Sequence, residues 1–167
     1  REARGALNLM RVVPGAGRLL DLASGAGRHA RAFRLDGVPV TCVDLSDDLT
    51  RLSRALGLPT TRGDMRALPF LEGSFAYVTS LFSSFGYFED EEEHQRVFDE
   101  IARVLLPGGA ALLDLMDRDT VRFQLRPQSV ELVDGKTIEV ERALLAGGRR
   151  VVKQVRLIRD GSEAQTW

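Results

Sequence analysis

Short apolar segments alternate with helical patterns along the first two thirds of the chain. The helical patterns repeat apolar residues every three or four positions, and glycine, proline or polar residues bound the apolar segments between them. A chain that alternates strands with helices typically builds a parallel sheet covered by helices. The predicted strands are residues 18–22, 39–43, 60–62, 75–81 and 110–116, and the predicted helices are residues 28–35, a helix capped by Ser46 and a long helix that begins near Asp90.

The last predicted strand of this sheet follows the long helix, which Pro107, Gly108 and Gly109 are expected to end. Proline and glycine are the two residues that disfavour a helix most strongly. Residues 110–116 are apolar at nearly every position, which is typical of a strand buried on both faces.

The pattern changes after about residue 119. Residues 136–143 alternate apolar and polar side chains, Gly147 and Gly148 are a turn signal, and residues 149–158 alternate again, less regularly. Such alternation is typical of half-buried antiparallel strands joined by a tight turn. The sequence therefore predicts an α/β core at residues 1–128 and an antiparallel β hairpin or meander at residues 129–167.

The composition restricts the classes of partner. The 167 residues carry a net charge of −1, so no basic surface for nucleic acid or for an anionic membrane is predicted. The single cysteine, Cys42, allows neither an intrachain disulfide nor a cysteine metal cluster, and it fits a cytoplasmic protein. No apolar run is long enough for a transmembrane helix. Because the first residue is Arg1 rather than methionine, we expect the natural chain to start earlier.

The strongest chemical signal lies between a strand end and a helix start, at residues 19–30. Gly25 and Gly27 lie in the turn, where the lack of a side chain lets a ligand approach the backbone. Asp44 ends the next strand, 19 residues after Gly25, and a carboxylate there can accept hydrogen bonds from ribose hydroxyls. The same glycines satisfy the G-x-G-x-x-G/A pattern of dinucleotide-binding proteins. Asp21 favours a cationic cofactor instead, because an acid so close to the turn would repel a pyrophosphate.

From Asp21 to about Asp117 the chain resembles class I S-adenosylmethionine-dependent methyltransferases. The family's first motif, acid-x-Gly-x-Gly-x-Gly, matches Asp21-Leu22-Ala23-Ser24-Gly25-Ala26-Gly27, with Ala23 in place of the first glycine. Leu105-Leu106-Pro107-Gly108-Gly109 resembles the turn before the family's fifth strand. The resemblance implies a Rossmann-like, doubly wound and mostly parallel sheet with the antiparallel segment appended to it, and S-adenosylmethionine as the cofactor.

The resemblance also implies a set of cofactor-binding residues. Asp44 matches the family's ribose-binding acid, and Leu45 after it would pack on adenine. Asp64, followed by Met65, matches the acid that contacts the adenine amino group. The full set is Asp21, Ala23, Gly25, Gly27, Asp44, Leu45, Asp64, Met65 and Leu81.

Acceptor residues are predicted where the fourth strand ends. Ser83-Ser84-Phe85-Gly86-Tyr87-Phe88 resembles the same loop in a bacterial subgroup that mostly methylates small molecules or is uncharacterised. Ligands bind at the carboxyl edge of open α/β sheets, so these aromatic residues can form a substrate wall as readily as core. The candidates for acceptor contact are Phe85, Tyr87, His94, Asp117 and Arg118. No catalytic residue is assigned, because methyl transfer from a sulfonium depends mainly on positioning.

The implied function is methyl transfer from S-adenosylmethionine to an unidentified small-molecule acceptor. Two alternatives stay open: an NAD-dependent oxidoreductase with the same glycine turn, and a non-catalytic S-adenosylmethionine-binding protein that acts through a partner. No nucleic acid, membrane or metal ion is expected, and a homodimer stays open. We expect residues 129–158 to cover the acceptor site or to contact a second subunit. We also expect the chain to continue beyond Trp167, because the family's complete sheet has more strands than the five predicted here.

Overall fold

The computed structural model describes residues 2–145, 147–148, 150–159 and 162–166. The chain divides into two compact units, Arg1–Leu115 and Met116–Trp167. The sequence predicted a boundary at residue 128, whereas the structure places residues 116–128 in the second unit. Within the described ranges, no helix combines the length and the apolar character that crossing a membrane requires.

The first unit is a parallel sheet with helices, as the alternating pattern predicts. Its elements are α1 (Glu2–Leu9), β1 (Leu19–Leu22), α2 (Arg28–Leu35), β2 (Val40–Asp44), α3 (Asp47–Ala55), β3 (Thr60–Arg62), β4 (Phe75–Ser80), α4 (Glu91–Val104) and β5 (Leu105–Leu113). All strand pairs are parallel, and the strand order is β3-β2-β1-β4-β5. The predicted bounds of α2 and β3 are confirmed, and those of β1, β2 and β4 differ by one residue at one or both ends.

The order of the strands brings the carboxyl ends of β1 and β4 together. β2 lies on one side of β1 and β4 on the other, so the chain crosses to the opposite half of the sheet after β3. In open α/β sheets, ligands bind at the carboxyl edge beside such a reversal of strand order. The residues that follow β1, β2 and β4 are therefore expected to form a site.

β1 is buried on both faces. Leu19 joins a core with α1 and α2, in which Phe33 is fully buried, and Leu20 joins a second core with α4, in which Val97 is fully buried. Full burial of a large apolar side chain contributes about 1.5–3 kcal/mol. Because both faces of β1 are covered, the one acidic residue of this strand, Asp21, is enclosed by protein as well.

α1 is absent from the elements that the sequence predicts. The helix buries Ala3 and Ala6 against α2, and Glu2 at its start contacts His29 of α2 at 2.9 Å. Alanines three residues apart are a weak hydrophobic signal, and Gly5 lowers the helix propensity. Packing on α2 supplies the stability that so short a helix lacks in isolation.

β5 differs from the prediction in its bounds and in its burial. It covers Leu105–Leu113 rather than residues 110–116. Four of its residues lie between the pairs Phe75–Leu105 and Tyr77–Ala110, so the predicted turn at residues 107–109 is a bulge within the strand. The prediction of a strand buried on both faces is wrong, because β5 is an edge strand of the described sheet and its side chains are exposed or half-buried. Proline is tolerated on edge strands because one row of backbone groups is unpaired there.

α4 clamps the long connection between β3 and β4. Arg103 donates to the carbonyl oxygens of Leu68 at 3.0 Å and Phe70 at 2.8 Å, and Glu100 accepts the Leu68 N–H at 2.5 Å. Arg103 and Glu100 also form an ion pair with each other. The clamped segment follows the loop after β3, so α4 fixes that loop at the carboxyl edge of the sheet.

The second unit is one short helix followed by an antiparallel meander. It contains α5 (Arg118–Gln124), β6 (Gln128–Val133), β7 (Lys136–Leu145), β8 (Arg150–Arg159) and β9 (Ser162–Thr166), and the sheet order is β6-β7-β8-β9. Asp134 and Gly135, between β6 and β7, both have positive φ, as two-residue hairpin turns require. The predicted antiparallel meander is confirmed, and the predicted hairpin corresponds to β7 and β8.

Candidate functional site

A cavity of about 220 Å³ opens at the carboxyl edge of the parallel sheet. Its walls come from the ends of β1 and β2 and from the loops after β3 and β4. The lining is mostly apolar, with two carboxylates, and consists of Leu22, Ala23, Val43, Asp44, Leu45, Gly63, Asp64, Met65, Ser84, Tyr87 and Phe88. The structure thus brings together six residues that the sequence predicted for a site: Ala23, Asp44, Leu45, Asp64, Met65 and Tyr87.

Asp44 connects the glycine turn to the start of α3. Its Oδ2 accepts the Gly25 N–H at 2.7 Å, and its Oδ1 accepts the Ser46 N–H at 2.9 Å. A carboxylate has about four lone-pair sites, so each oxygen keeps capacity for a further donor. The backbone therefore holds this side chain in place while it can still accept hydrogen bonds from a ligand in the cavity.

The two glycines of the turn have different roles. Gly25 has a φ of 56°, and a Cβ at this position would point into open space. Gly27 has a φ of 86°, and a Cβ there would lie 2.3 Å from Leu58 Cδ1 and 2.9 Å from Ser53 Oγ. Gly25 therefore keeps space open above the turn, whereas Gly27 lets α2 pack closely against α3. The sequence had suggested the same role for both.

Three residues other than glycine have a left-handed backbone at this edge. They are Ala23, Phe82 and Ser83, with φ of 55°, 64° and 54°. This conformation costs an ordinary residue about 1–2 kcal/mol. Asp114, just after β5, holds two of them, because its Oδ2 accepts the Phe82 N–H at 3.1 Å and its carbonyl accepts the Ser83 N–H at 3.2 Å. Backbone strain of this kind clusters at ligand sites.

Asp21 lies beneath the turn and not in the wall of the cavity. It is 1% exposed, and its Oδ1 accepts the hydroxyl hydrogen of Thr79 at 3.2 Å. Burial raises the pKa of Asp21 to about 7, and the hydrogen bond from Thr79 offsets only part of this effect. At neutral pH the carboxyl is therefore partly protonated, so its repulsion of a pyrophosphate is weaker than the sequence suggested.

Three buried polar atoms make no hydrogen bond of standard geometry with the residues that the structure describes. They are Asp21 Oδ2, Ser24 Oγ in the turn and Ser80 Oγ at the end of β4. Buried polar atoms in native proteins nearly always have a hydrogen-bond partner, so these oxygens can accept a hydrogen bond from a bound ligand. A cofactor with an ammonium group and a nucleoside fits this edge, because the apolar cavity beside Asp44 suits the nucleoside.

The predicted acceptor residues of the first unit differ in their surroundings. Tyr87 is 83% exposed and lines the cavity. Phe85 and His94 pack on each other, with ring centroids 5.1 Å apart, and His94 also lies against Phe88. These two residues therefore belong to the contact between the loop and α4. Leu81, a predicted cofactor residue, is buried in the core on the α2 side.

The other two predicted acceptor residues lie in the second unit. Asp117 caps α5 by accepting the Thr120 N–H at 2.8 Å, and this contact with Thr120 lowers the pKa of its carboxyl. The Arg118 guanidinium lies 3.4 Å from the Gly147 carbonyl oxygen. Contact of Asp117 and Arg118 with an acceptor stays a prediction.

Two residues at the carboxyl edge carry contacts that the sequence did not predict. Asp114 anchors the loop after β4, and its signal was a single acid in an apolar strand. Arg66 pairs with Asp64 and with Glu93 of α4. The ion pair between Asp64 and Arg66 could have been predicted from the sequence, because opposite charges two residues apart in a turn are often in contact.

Comparisons with known proteins agree on one family. A family model for a methyltransferase domain matches residues 19–109, more than half of the chain. The chain is 33% identical to dTDP-4-amino-2,3,4,6-tetradeoxy-D-glucose N,N-dimethyltransferase of Saccharopolyspora spinosa, over 68% of this chain and 46% of that protein. It is 36% identical to dTDP-3-amino-3,4,6-trideoxy-alpha-D-glucopyranose N,N-dimethyltransferase of Streptomyces venezuelae, over 60% and 43%. The chain therefore spans less than half the length of these relatives.

The fold is also similar to that of a solved structure. Streptomyces venezuelae DesVI matches with a TM-score of 0.73 at 25% identity, over 99% of this chain and 72% of that one. The likeness covers the parallel sheet and the antiparallel strands, and it confirms the predicted fold class.

Gly27→Ala and Gly25→Ala are expected to differ in stability. In Gly27→Ala the new Cβ meets Leu58 and Ser53, so overpacking and the left-handed backbone together should lower the free energy of unfolding by roughly 2–5 kcal/mol. In Gly25→Ala the new Cβ has no neighbour. Only the left-handed backbone should therefore lower the free energy of unfolding, by about 1–2 kcal/mol. Urea denaturation measures both variants, and equal losses would contradict the separate roles.

Asp21→Asn is expected to change how stability depends on pH. Burial raises the pKa of Asp21 from 3.8 to about 7, so the folded protein holds a proton that the unfolded chain has released. The contribution of Asp21 to the free energy of unfolding is therefore greatest below about pH 4 and is lost as the pH rises toward 7. The free energy of unfolding of the wild type, relative to Asp21→Asn, should therefore fall across this range and be constant above about pH 8.

The matched control is Asp48→Asn, because the Asp48 side chain is 90% exposed. Denaturant titrations of both variants at a series of pH values compare a buried carboxyl with an exposed one. A constant difference between Asp21→Asn and the wild type would show that Asp21 does not titrate differently on folding.

Proposed function

Because the chain belongs to the methyltransferase-domain family of class I S-adenosylmethionine-dependent methyltransferases, we propose that the protein directs the methyl group of S-adenosylmethionine to an amino group of a small acceptor, such as an amino sugar. The observation that carries this proposal is the position of Asp44, whose carboxylate joins the glycine turn and faces the cavity. A carboxylate that can accept hydrogen bonds from ribose hydroxyls, beside a turn with open space above its backbone, suits a nucleoside cofactor.

Different residues at the cavity would contact different parts of the cofactor. Asp44 would accept hydrogen bonds from the ribose hydroxyls, and Leu45 with Val43 would contact the adenine ring. Asp64, at the loop after β3, would accept a hydrogen bond from the adenine amino group. The open side of Gly25 and the unpaired oxygen of Asp21 lie on the side of β1, where the amino-acid part of the cofactor would bind.

When it is bound, S-adenosylmethionine supplies an electrophilic methyl group. The chain's own residues then have to hold the acceptor in line with that group and exclude water. Fixing two reactants in a reactive geometry can lower a barrier by roughly 7–11 kcal/mol, so positioning alone is a sufficient role for the protein. The strained loop anchored by Asp114 is suited to this task, because a fixed backbone limits the movement of the wall that it forms.

An amine acceptor is supported by the relatives named above. Both are named for dimethylation of an amino group on a dTDP-linked deoxy sugar. Tyr87, exposed on the cavity at the loop after β4, would provide an aromatic wall for such an acceptor. Phe85 and His94 would support that wall from behind through their contact with each other.

Asp44→Ala is expected to weaken binding of S-adenosylhomocysteine, the product form of the cofactor, by roughly ten- to a hundredfold in isothermal calorimetry. The change removes the charge-assisted bonds to ribose, and it also frees the N–H groups of Gly25 and Ser46. Asp48→Ala is the matched control, because Asp48 is an exposed acid on the first turn of α3. That variant should bind like the wild type.

The same calorimetry includes NAD as a second ligand. The wild type should bind S-adenosylhomocysteine and should not bind NAD. Tight binding of NAD without binding of S-adenosylhomocysteine would replace the methyltransferase proposal by an oxidoreductase. An unchanged affinity in Asp44→Ala would remove Asp44 from the site.

Methyl transfer to an amine is measured directly by mass spectrometry. The protein, S-adenosylmethionine and a dTDP-linked amino deoxy sugar should yield singly and doubly methylated sugar, with one S-adenosylhomocysteine formed per methyl group. The matched sugar with a hydroxyl in place of the amine should stay unmodified. Binding of S-adenosylhomocysteine without transfer to any tested amine would favour a non-catalytic cofactor-binding protein instead.

A further inference from the structure

Arg66 lies at the centre of a network that includes two residues of the cavity lining, Asp64 and Phe88. Its Nε lies 3.0 Å from Asp64 Oδ1 and 3.1 Å from Oδ2, and one terminal nitrogen lies 2.5 Å from Oδ2. The backbone N–H of Arg66 also donates to Asp64 Oδ1 at 2.9 Å. A tight turn makes this possible, because the Ala67 N–H donates to the Asp64 carbonyl and folds the chain back.

These contacts leave the Asp64 carboxylate with little free capacity. A carboxylate offers about four lone-pair sites. Three N–H groups of Arg66 use about three of these sites: the Nε–H is shared between the two oxygens, a terminal N–H reaches Oδ2 and the backbone N–H reaches Oδ1. About one site is left on the carboxylate, and Asp64 lines the cavity. The Arg66 guanidinium also lowers the pKa of the Asp64 carboxyl, which keeps the group a pure acceptor at neutral pH.

The same guanidinium ties this part of the cavity lining to α4. A terminal nitrogen of Arg66 forms an ion pair with Glu93 in the first turn of α4. The guanidinium carbon also lies 4.7 Å from the centre of the Phe88 ring, which lines the cavity from the loop after β4. Arg66 therefore holds the Asp64 carboxylate and joins two loops that line the cavity.

Resting on the proposed function, we propose that Arg66 is a positioning residue that makes the cofactor site selective for a base with an amino group. It leaves Asp64, a residue of the cavity lining, with about one acceptor site, which matches one N–H of the adenine amino group. A base with a carbonyl oxygen at that position would place two acceptors against each other. A ligand that leaves a polar group of its site unpaired is bound less tightly than one that pairs it.

The test compares S-adenosylhomocysteine with S-inosylhomocysteine, in which a carbonyl oxygen replaces the amino group and N1 carries a hydrogen, by calorimetry on the purified protein. The wild type should bind the adenine ligand at least about tenfold more tightly, as expected for one charge-assisted hydrogen bond. In Arg66→Gln the carboxylate can rotate and water competes for it, so the preference should fall to roughly threefold or less. Arg66→Lys should lose most of the preference too, because an ammonium group cannot make the planar fork.

Arg96→Gln is the matched control, since Arg96 is an exposed arginine of α4. It should keep the full preference, and thermal unfolding of every variant checks that the fold is intact. A role of Arg66 in stability alone would weaken both ligands equally and leave their ratio unchanged, which would overturn the inference, as would a wild type that does not distinguish the two ligands. Failure of the wild type to bind S-adenosylhomocysteine at all would instead refute the proposed function itself.

Discussion

The hydrogen bond from the Gly25 N–H to the Asp44 carboxylate is the interaction on which the carboxyl edge of this sheet depends. Parallel strands bring the turn after β1 and the end of β2 to the same edge, where this bond and the bond from the Ser24 N–H to the Val43 carbonyl oxygen at 3.1 Å hold them together. The second oxygen of Asp44 accepts the Ser46 N–H, so the turn and the start of α3 share one acceptor. The group that holds the turn is therefore also the group proposed to hold the ribose.

Departures from ordinary local structure are concentrated around this interaction. Ala23 and Phe82 have left-handed backbones, and Asp21 is a buried acid with an unpaired oxygen. Each feature costs stability, and the two apolar cores on either side of β1 supply the stability that tolerates them. The left-handed residues Ala23 and Phe82 and these polar atoms lie at the ends of β1 and β4, where the reversal of strand order exposes backbone to a ligand.

α4 organises the opposite wall of the cavity. Glu100 and Arg103 clamp the connection after β3, and Glu93 holds Arg66, which in turn holds Asp64. Asp64, the acid that would contact adenine, is therefore held by Arg66 and, through Arg66, by Glu93 of α4. The loop after β4 also contacts Arg66, through the ring of Phe88.

The sequence by itself determined the α/β alternation, the glycine turn, the acids at residues 44 and 64 and the antiparallel meander, because these depend on local periodicity and on residue types in short motifs. It missed α1, whose small alanines give a weak pattern, and it misplaced β5, whose burial depends on how many strands flank it. Only the tertiary structure decided that Gly27 serves packing, that Asp21 is buried with a raised pKa, and that Arg66 joins Asp64 to Glu93 of α4. These properties arise from atoms distant in sequence or from the exclusion of water, and neither is written in a local pattern.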